Sequence, residues 1–427
     1  MYGWRRHGPV QRDSHHARAS PFHFFSLERS LQFARKIRKN LILYAMLPLF
    51  FLGMKRILII GGGYSGTEII RQLVLRGVRG IEVELISVGR YFENTIAGTE
   101  VISEKLRAED LRYDLQLLSD YWGFSLTAGR VTKINLDEKV VKLENGEREY
   151  DVLVVASGSA PNFYDVKGFD LALPSYRLSD FEQINRSLKR LNKDRPGVII
   201  VGAGYVGLEV AAEIMDFFKL SGRKAEVIVV EKTGHVLPGF NNEAARRMTL
   251  EALSSRGIGF NFGKGVKRIA EGKVVLEDGS ELQSDLTIWS GGVKGSELAL
   301  NTIGASLHNS YIDVDEKLLI KGRLDAFAIG DAAYVAIGGS VAQKMAGEAL
   351  EQAVTTARNI ISITGGQKPS VEHKINYSVD FPKVLLSLGE GKALLIFGPH
   401  YASLGSTEYF LKRRIDVEEM MGRFPRA

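Results

Sequence analysis

Two glycine-rich turns, each preceded by an apolar run, constrain this chain more than any other feature. Gly61-Gly62-Gly63-Tyr64-Ser65-Gly66 follows Ile57-Leu58-Ile59-Ile60, and Gly202-Ala203-Gly204-Tyr205-Val206-Gly207 follows Val198-Ile199-Ile200-Val201. Each apolar run reads as a buried strand, and the stretches that follow, Thr67 to Leu75 and Leu208 to Phe218, read as helices. One Gly-x-Gly-x-x-Gly recurs by chance, whereas two copies in strand, turn, helix context predict two dinucleotide sites. The alternative is one working site beside a decayed copy.

The chemistry expected at both turns is the same. The first glycine (Gly61, Gly202) permits the tight turn, the second (Gly63, Gly204) lets backbone approach a pyrophosphate, and the third (Gly66, Gly207) lets helix pack closely on strand. The helix N-terminus then faces the phosphate charge with free N–H groups. The next strands end differently. Glu226 to Val230 leads into Glu231, 29 residues beyond Gly202, where a carboxylate can accept from an adenosine ribose and repel a 2′-phosphate. NADH is therefore expected over NADPH, unless Glu231 is simply a solvated strand-end acid. Val83 to Ile86 leads instead into Ser87, an uncharged and weaker ribose partner.

Charge says little about the body of the molecule. The chain of 427 residues carries a net +6, but residues 1–53 hold nine Arg or Lys against Asp13 and Glu28. The remainder is close to neutral, with 47 basic and 48 acidic side chains. No basic face with interleaved aromatics suggests nucleic acid as a partner. The absence of cysteine removes thiol relays, zinc–thiolate sites, cysteine-ligated clusters and a cysteine-linked flavin. No metal site is expected.

Residues 1–53 also hold four of the eight histidines and end in the apolar stretch Leu41 to Leu52, well short of the ~20 residues a membrane-spanning helix needs. No small-residue cleavage site follows that stretch. Either the reading frame truly begins at Met54, or residues 1–53 form a membrane-surface anchor, with Leu27, Leu31, Ala34 and Ile37 at helical spacing beside Arg35, Lys36, Arg38 and Lys39. From Met54 the pattern predicts an α/β fold. A helix-like stretch spans about Glu109 to Tyr121, hairpin turns fall at Asn145-Gly146 and Asp278-Gly279, and a buried strand Val152 to Val155 precedes the second unit. A long helix is expected from about Val341 to Ile363, and a hairpin of Val384 to Leu388 with Ala393 to Phe397 lies in the tail.

This order resembles the two-dinucleotide-binding-domain flavoproteins, a glutathione-reductase-like family, over residues 54–365. The resemblance rests on the two glycine turns, on Ala156-Ser157-Gly158-Ser159-Ala160-Pro161 and on Ala328-Ile329-Gly330-Asp331-Ala332-Ala333. It implies two Rossmann-like dinucleotide-binding domains, the second inserted in the first, plus a short α+β C-terminal domain. The implied divisions are 54–165 with 285–364 for non-covalent FAD, 166–284 for NADH, and 365–427 for the tail. It also implies that Gly61, Gly63, Ser65, Gly66, Ser87, Ala156, Ser157, Gly158, Gly330 and Asp331 hold FAD. Gly202, Gly204, Tyr205, Val206, Gly207 and Glu231 would hold NADH, and Glu209 would orient the nicotinamide. The plainer reading of Glu209 is a helix carboxylate near a positive N-terminus.

Without cysteine the disulfide reductases and sulfide:quinone reductases are excluded. The 62 residues after Gly365 form a short tail that looks like that of the type II NADH dehydrogenases, flavoproteins that reduce quinone at a membrane surface. Trp289-Ser290-Gly291-Gly292-Val293 resembles their W-A-A-G-V, which brings Gly292 into the cofactor set, and Val236 to Phe240 resembles their I-L-P-G-F. Their A-Q-x-A-x-Q motif is altered: Ala346 remains, but Gly347 and Glu351 stand where the two glutamines are expected. Gln343, four residues before Gly347, is expected to substitute from the same helix face.

The tail residues Phe410, Val417, Met420 and Phe424, beside Lys412, Arg413 and Arg414, read either as a lipid-facing helix or as a homodimer face. The resemblance therefore implies an NADH:quinone oxidoreductase, peripheral on the cytoplasmic face of the cell membrane. Two alternatives stand beside it: a soluble NADH-dependent flavin reductase serving a ferredoxin-like protein or oxygen, and an NADH-sensing flavoprotein without turnover.

Overall fold

The computed structural model describes residues 54–424; the expected membrane-surface anchor and the apolar stretch of residues 1–53 lie outside the described residues. Ile57 to Ile60 are at most 4% exposed, so the first strand is covered on both faces. Such two-faced burial is characteristic of a parallel sheet with crossovers on either side. Lys55–Ile60 accordingly sits in the middle of a five-stranded sheet, with Val152–Val155 and Ala326–Ala328 on one side and Ile81–Ser87 and Ser125–Ala128 on the other. Every neighbouring pair is parallel.

The second unit repeats this plan. Gly197–Val201 is flanked by Leu286–Trp289 and Ala172–Pro174 on one side and by Glu226–Glu231 and Ile258–Phe262 on the other. All four pairings are again parallel. Both sheets carry their glycine turn at the end of the central strand, and a ligand there meets the following helix, Tyr64–Leu75 or Tyr205–Leu220, end-on. The second sheet is inserted between Val155 and Ala326. Its strand Leu286–Trp289 lies just past the expected boundary at 284, so the sheet itself extends the inserted unit to about Trp289.

Local differences from the sequence reading have physical causes. The expected helix from Glu109 breaks into a short 3-10 turn, Ala108–Leu111, a strand, Arg112–Asp114, and the helix Leu115–Trp122. Asp114 caps that helix by accepting from the Gln116 N–H at 2.8 Å, and Gly123, at φ 71°, ends it. The long helix begins at Ala346 rather than Val341. Val341 pairs as a strand with Ala336, and the Ala342 N–H is taken by the Val335 carbonyl.

The tail forms a three-stranded antiparallel sheet, Lys383–Ser387, Ala393–Phe397 and Tyr401–Gly405, and then the helix Ser406–Arg423. Its Leu386, Leu388, Leu394 and Ile396 join the core of the inserted unit. Met420 and Phe424 join the core of the first. Full burial of side chains this size contributes about 1.5–3 kcal/mol each, so the tail is bound into both units. The expected stripe is therefore split: Lys412, Met420 and Phe424 turn inward, whereas Phe410 and Val417 are exposed.

Candidate functional site

The glycines of the two turns divide into the roles their chemistry requires. A Cβ on Gly61 (φ +113°) would stand 2.2 Å from the Ala156 carbonyl oxygen, and one on Gly202 (φ +106°) 2.4 Å from that of Ser290. A Cβ on Gly66 would meet the Gly61 oxygen at 1.9 Å, and one on Gly207 the Gly202 oxygen at 2.1 Å. Gly63 and Gly204 differ from these: a Cβ at either would meet nothing within 4 Å. Both have ordinary extended backbone, φ −86° and −68°. Sterics of the protein thus explain four glycines, and the open space at the other two fits a pyrophosphate brought against bare backbone.

Other expected residues converge on the first turn. A Cβ on Gly330 (φ +62°) would lie 2.9 Å from Ser65 Oγ, so the Gly330-Asp331 bend abuts the turn directly. The Gly330 N–H donates to Gln352 Oε1 at 2.7 Å, and Ser159 Oγ donates to Asp331 Oδ2 at 2.9 Å. Ser157 Oγ meets Ser296 Oγ at 3.2 Å, and Gly158 takes φ +72°. Burial raises the Asp331 pKa against the opposing Lys344 charge and Ser159 hydrogen bond. Lys344, which the sequence reading missed, donates to the Ala333 carbonyl and lies 4.3 Å over the Tyr311 ring. Burial pulls its pKa down to about 8, against the charges of Asp331 and Glu348.

Packing supplies a reason for Ser87. A Cβ on Gly62 would come within 2.8 Å of Ser87 Oγ, so glycine and a small strand-end residue are matched in size. At the equivalent place in the second turn Glu231 reaches around Ala203, accepting its N–H at 2.8 Å and the Thr233 N–H at 2.8 Å. Glu231 is only 8% exposed and organises the turn as well as lining it. Gly292 (φ +119°) accepts from the Asn162 N–H at 3.0 Å where the chain crosses between units.

Tyr205 links the second turn to the approach of the long helix, donating to the Lys344 carbonyl at 3.2 Å. Burial raises its pKa, and the charges of Asp331 and Glu209 act in the same direction. Val206 packs at the rim of the inserted unit's core. Glu209 accepts from the Ser387 N–H at 2.8 Å and from Lys412 Nζ at 3.0 Å. Burial, the largest single influence, pulls the Lys412 pKa down, but Glu209 together with Glu100 and Asp416 outweighs it and the net shift is upward. The sequence signal for Lys412 is its spacing of four from Asp416 and eight from Met420, a mixed stripe easily read as facing lipid.

The altered glutamine positions are arranged differently from expectation. Gln343 precedes the helix and donates through Nε2 to the Gly239 carbonyl, so it does not share a helix face with Gly347. A Cβ on Gly347 would meet the Tyr377 ring at 2.6 Å, so that ring fills the space of the missing side chain. Ala346 opens the helix, and Glu351 is exposed one turn further on. Between them Glu348 is buried, 2.6 Å from His373 Nε2, and accepts the Asn376 and Tyr377 N–H groups at 3.0 and 3.1 Å.

Comparison with known proteins agrees with this arrangement. A family model described as pyridine nucleotide-disulphide oxidoreductase matches residues 55–358. A type II NADH:quinone oxidoreductase of Staphylococcus epidermidis is 25% identical over 389 residues, 85% of this chain and 94% of its own. The corresponding protein of Staphylococcus aureus is 24% identical over 388 residues, with the same two coverages. Among solved structures, NDH2 from Plasmodium falciparum in complex with NADH superposes with a TM-score of 0.73 at 18% identity, covering 86% of this chain and 98% of that one. The sulfide:quinone oxidoreductase of Aquifex aeolicus gives 0.74 at 17% identity, covering 86% and 91%. These two structures speak to the fold alone.

Proposed function

The chain belongs to the pyridine nucleotide-disulphide oxidoreductase family, and from that premise we propose that it is an FAD-dependent NADH:quinone oxidoreductase. The observation that carries this reading is the pair of open glycines, Gly63 and Gly204, at two repeated turns in a chain without cysteine. Relatives matched over nearly their whole length, and named for NADH and quinone, support the choice of substrates.

In this reading Gly61, Gly63, Ser65 and Gly66, with Ala156, Ser157, Gly158, Ser87, Gly330 and Asp331, hold FAD. Bound there, FAD supplies the chemistry of accepting a hydride from NADH and passing two electrons onward. Gly202 to Gly207 hold the NADH pyrophosphate, and Glu231 takes the ribose and disfavours a 2′-phosphate. Gly292 lines the crossing between the units. Glu209, paired with Lys412 and holding the Ser387 N–H, orients the carboxamide end, and its burial excludes water from that end of the cleft. Lys344, poised near neutrality, holds a proton beside Asp331 that reduction chemistry in the cleft can draw on.

Quinone approaches by the start of the long helix, where Ala346 and Glu351 flank Gly347 in sequence, Tyr377 lies over Gly347 and Gln343 closes the side toward Gly239. Membrane contact through the tail is supported by the outward Phe410, Leu411, Ile415, Val417 and Met421, each more than a third exposed. Among the described residues no helix is long and apolar enough to cross a membrane. Attachment at a cytoplasmic membrane surface is thus proposed as peripheral.

One observation favours a second reading, a soluble flavin reductase: Tyr377 occupies the space over Gly347. Steady-state NADH oxidation with a soluble quinone analogue, a ferredoxin and oxygen separates the two. Turnover that depends on quinone supports the first, and turnover with ferredoxin or oxygen alone supports the second.

A further inference from the structure

Glu68 occupies the same place after the first turn that Glu209 occupies after the second, two residues past the last glycine. A carboxylate in the opening turns of a helix meant to receive a pyrophosphate repels that ligand unless it is neutralised. Glu68 is 2% exposed and lies among cations. Arg71 bonds both of its oxygens at 2.8 Å, and Arg423, from the final turn of the tail helix, approaches at 3.1 Å.

Arg423 does more than pair a charge. Its Nη1 donates to the Tyr64 carbonyl and to Thr67 Oγ1, both at 3.2 Å, so it holds the backbone of the turn itself. Its Nη2 reaches Glu419 at 2.5 Å. The contact is built from the surrounding side chains too. Phe424 stacks on Tyr113 at 4.5 Å and meets Phe92 at 4.8 Å, and Phe92 meets the Tyr64 ring edge-on at 4.9 Å. Tyr64 donates to Asn94, which donates to Asp416 of the tail helix, both at 2.8 Å.

We propose that Arg423 is a positioning residue for the first dinucleotide site, cancelling Glu68 and fixing the Tyr64 carbonyl so that the turn is preset for the FAD pyrophosphate. The proposal rests on the assignment of the first turn to FAD. Four charges, Glu68, Glu419, Arg71 and Arg423, balance to neutral around the turn. Removing Arg423 leaves one net negative charge facing an anionic ligand, and removing Glu68 as well restores neutrality.

The test uses the full chain purified with FAD, comparing wild type with R423M, R423K, E68Q and R423M/E68Q. Flavin-to-protein ratio, FAD dissociation constant by flavin fluorescence, and melting temperature of the flavin-stripped chains are measured. R423M should weaken FAD about tenfold or more, R423K less, and R423M/E68Q should recover most of the loss. E68Q alone should bind FAD at least as tightly as wild type. Equal FAD affinity in wild type and R423M overturns the proposal, as does a double variant that binds no better than R423M. Equal melting of the stripped R423M and double variants, with unequal FAD affinity, supports it. Wild type that takes up no FAD sinks the assignment of the first turn instead, which keeps the two failures apart.

Discussion

Glu209 and Lys412 meet at 3.0 Å with side chains only 8% and 7% exposed, joining the helix of the second glycine turn to the tail helix. Two hundred residues of chain separate them. A buried ion pair adds little net stability over an apolar pair of similar shape, but breaking it strands a charge.

K412M should therefore destabilise the fold by about 3–5 kcal/mol, and E209Q/K412M should recover much of that. Thermal melts of the single and double variants check this; a K412M chain as stable as wild type would contradict the predicted cost of stranding Glu209. E209A should also slow flavin reduction by NADH in stopped flow, whereas an unchanged rate would remove Glu209 from the nicotinamide site.

Gly61 and Gly63 are two residues apart and should fail in different ways. G61A places a methyl 2.2 Å from the Ala156 oxygen on left-handed backbone, so the turn itself should be lost. G63A meets nothing within 4 Å, so the protein should fold with a melting temperature within a few degrees of wild type while flavin content falls about tenfold or more. Full flavin in G63A would falsify the assignment of Gly63 to a pyrophosphate.

Glu231 bonds the Ala203 and Thr233 N–H groups, one with each carboxylate oxygen. E231Q keeps the size and removes the charge, while turning one of the two accepting oxygens into a donor that faces a backbone N–H. The preference for NADH over NADPH in kcat/KM should narrow by about tenfold or more, because repulsion of a 2′-phosphate is gone. An unchanged ratio would return Glu231 to a structural role at the turn.

Lys344 ties stability to pH with a definite sign. Its pKa falls from an ordinary 10.5 to about 8 on folding, so between these values the unfolded chain binds more protons. Folding stability from this group then rises with pH across that window and is lost as pH falls through about 8. For the flavin-stripped chain, the melting temperature of wild type minus that of K344M should increase from pH 8 to pH 10. A difference that is flat or falls with pH contradicts the assignment.

Much of this architecture was legible because glycine geometry leaves few choices. Gly61, Gly66, Gly202 and Gly207 are demanded by contacts of under 2.5 Å, and the strands before them by burial on both faces. The departures lie where distant chain decides. Gln343 falls outside the long helix because Val341 is paired as a strand and the Ala342 N–H is already taken. Tyr377 over Gly347, Arg423 on Glu68 and Lys412 on Glu209 join residues 30 to 355 positions apart, and no periodicity encodes such pairings. The tail helix is legible only in part: its apolar residues are spread around it, so which of them faces protein depends on the sheet and first unit beneath.

Transient kinetics can follow the electrons out of the protein directly. The holoenzyme is reduced anaerobically with one equivalent of NADH and mixed in a stopped-flow instrument with a water-soluble quinone analogue, a ferredoxin or oxygen, while the flavin absorbance is followed. Saturable reoxidation by the quinone is expected, about tenfold or more faster than by either other acceptor and fast enough to support steady-state turnover. Flavin that stays reduced with quinone but is reoxidised by ferredoxin or oxygen would contradict that expectation.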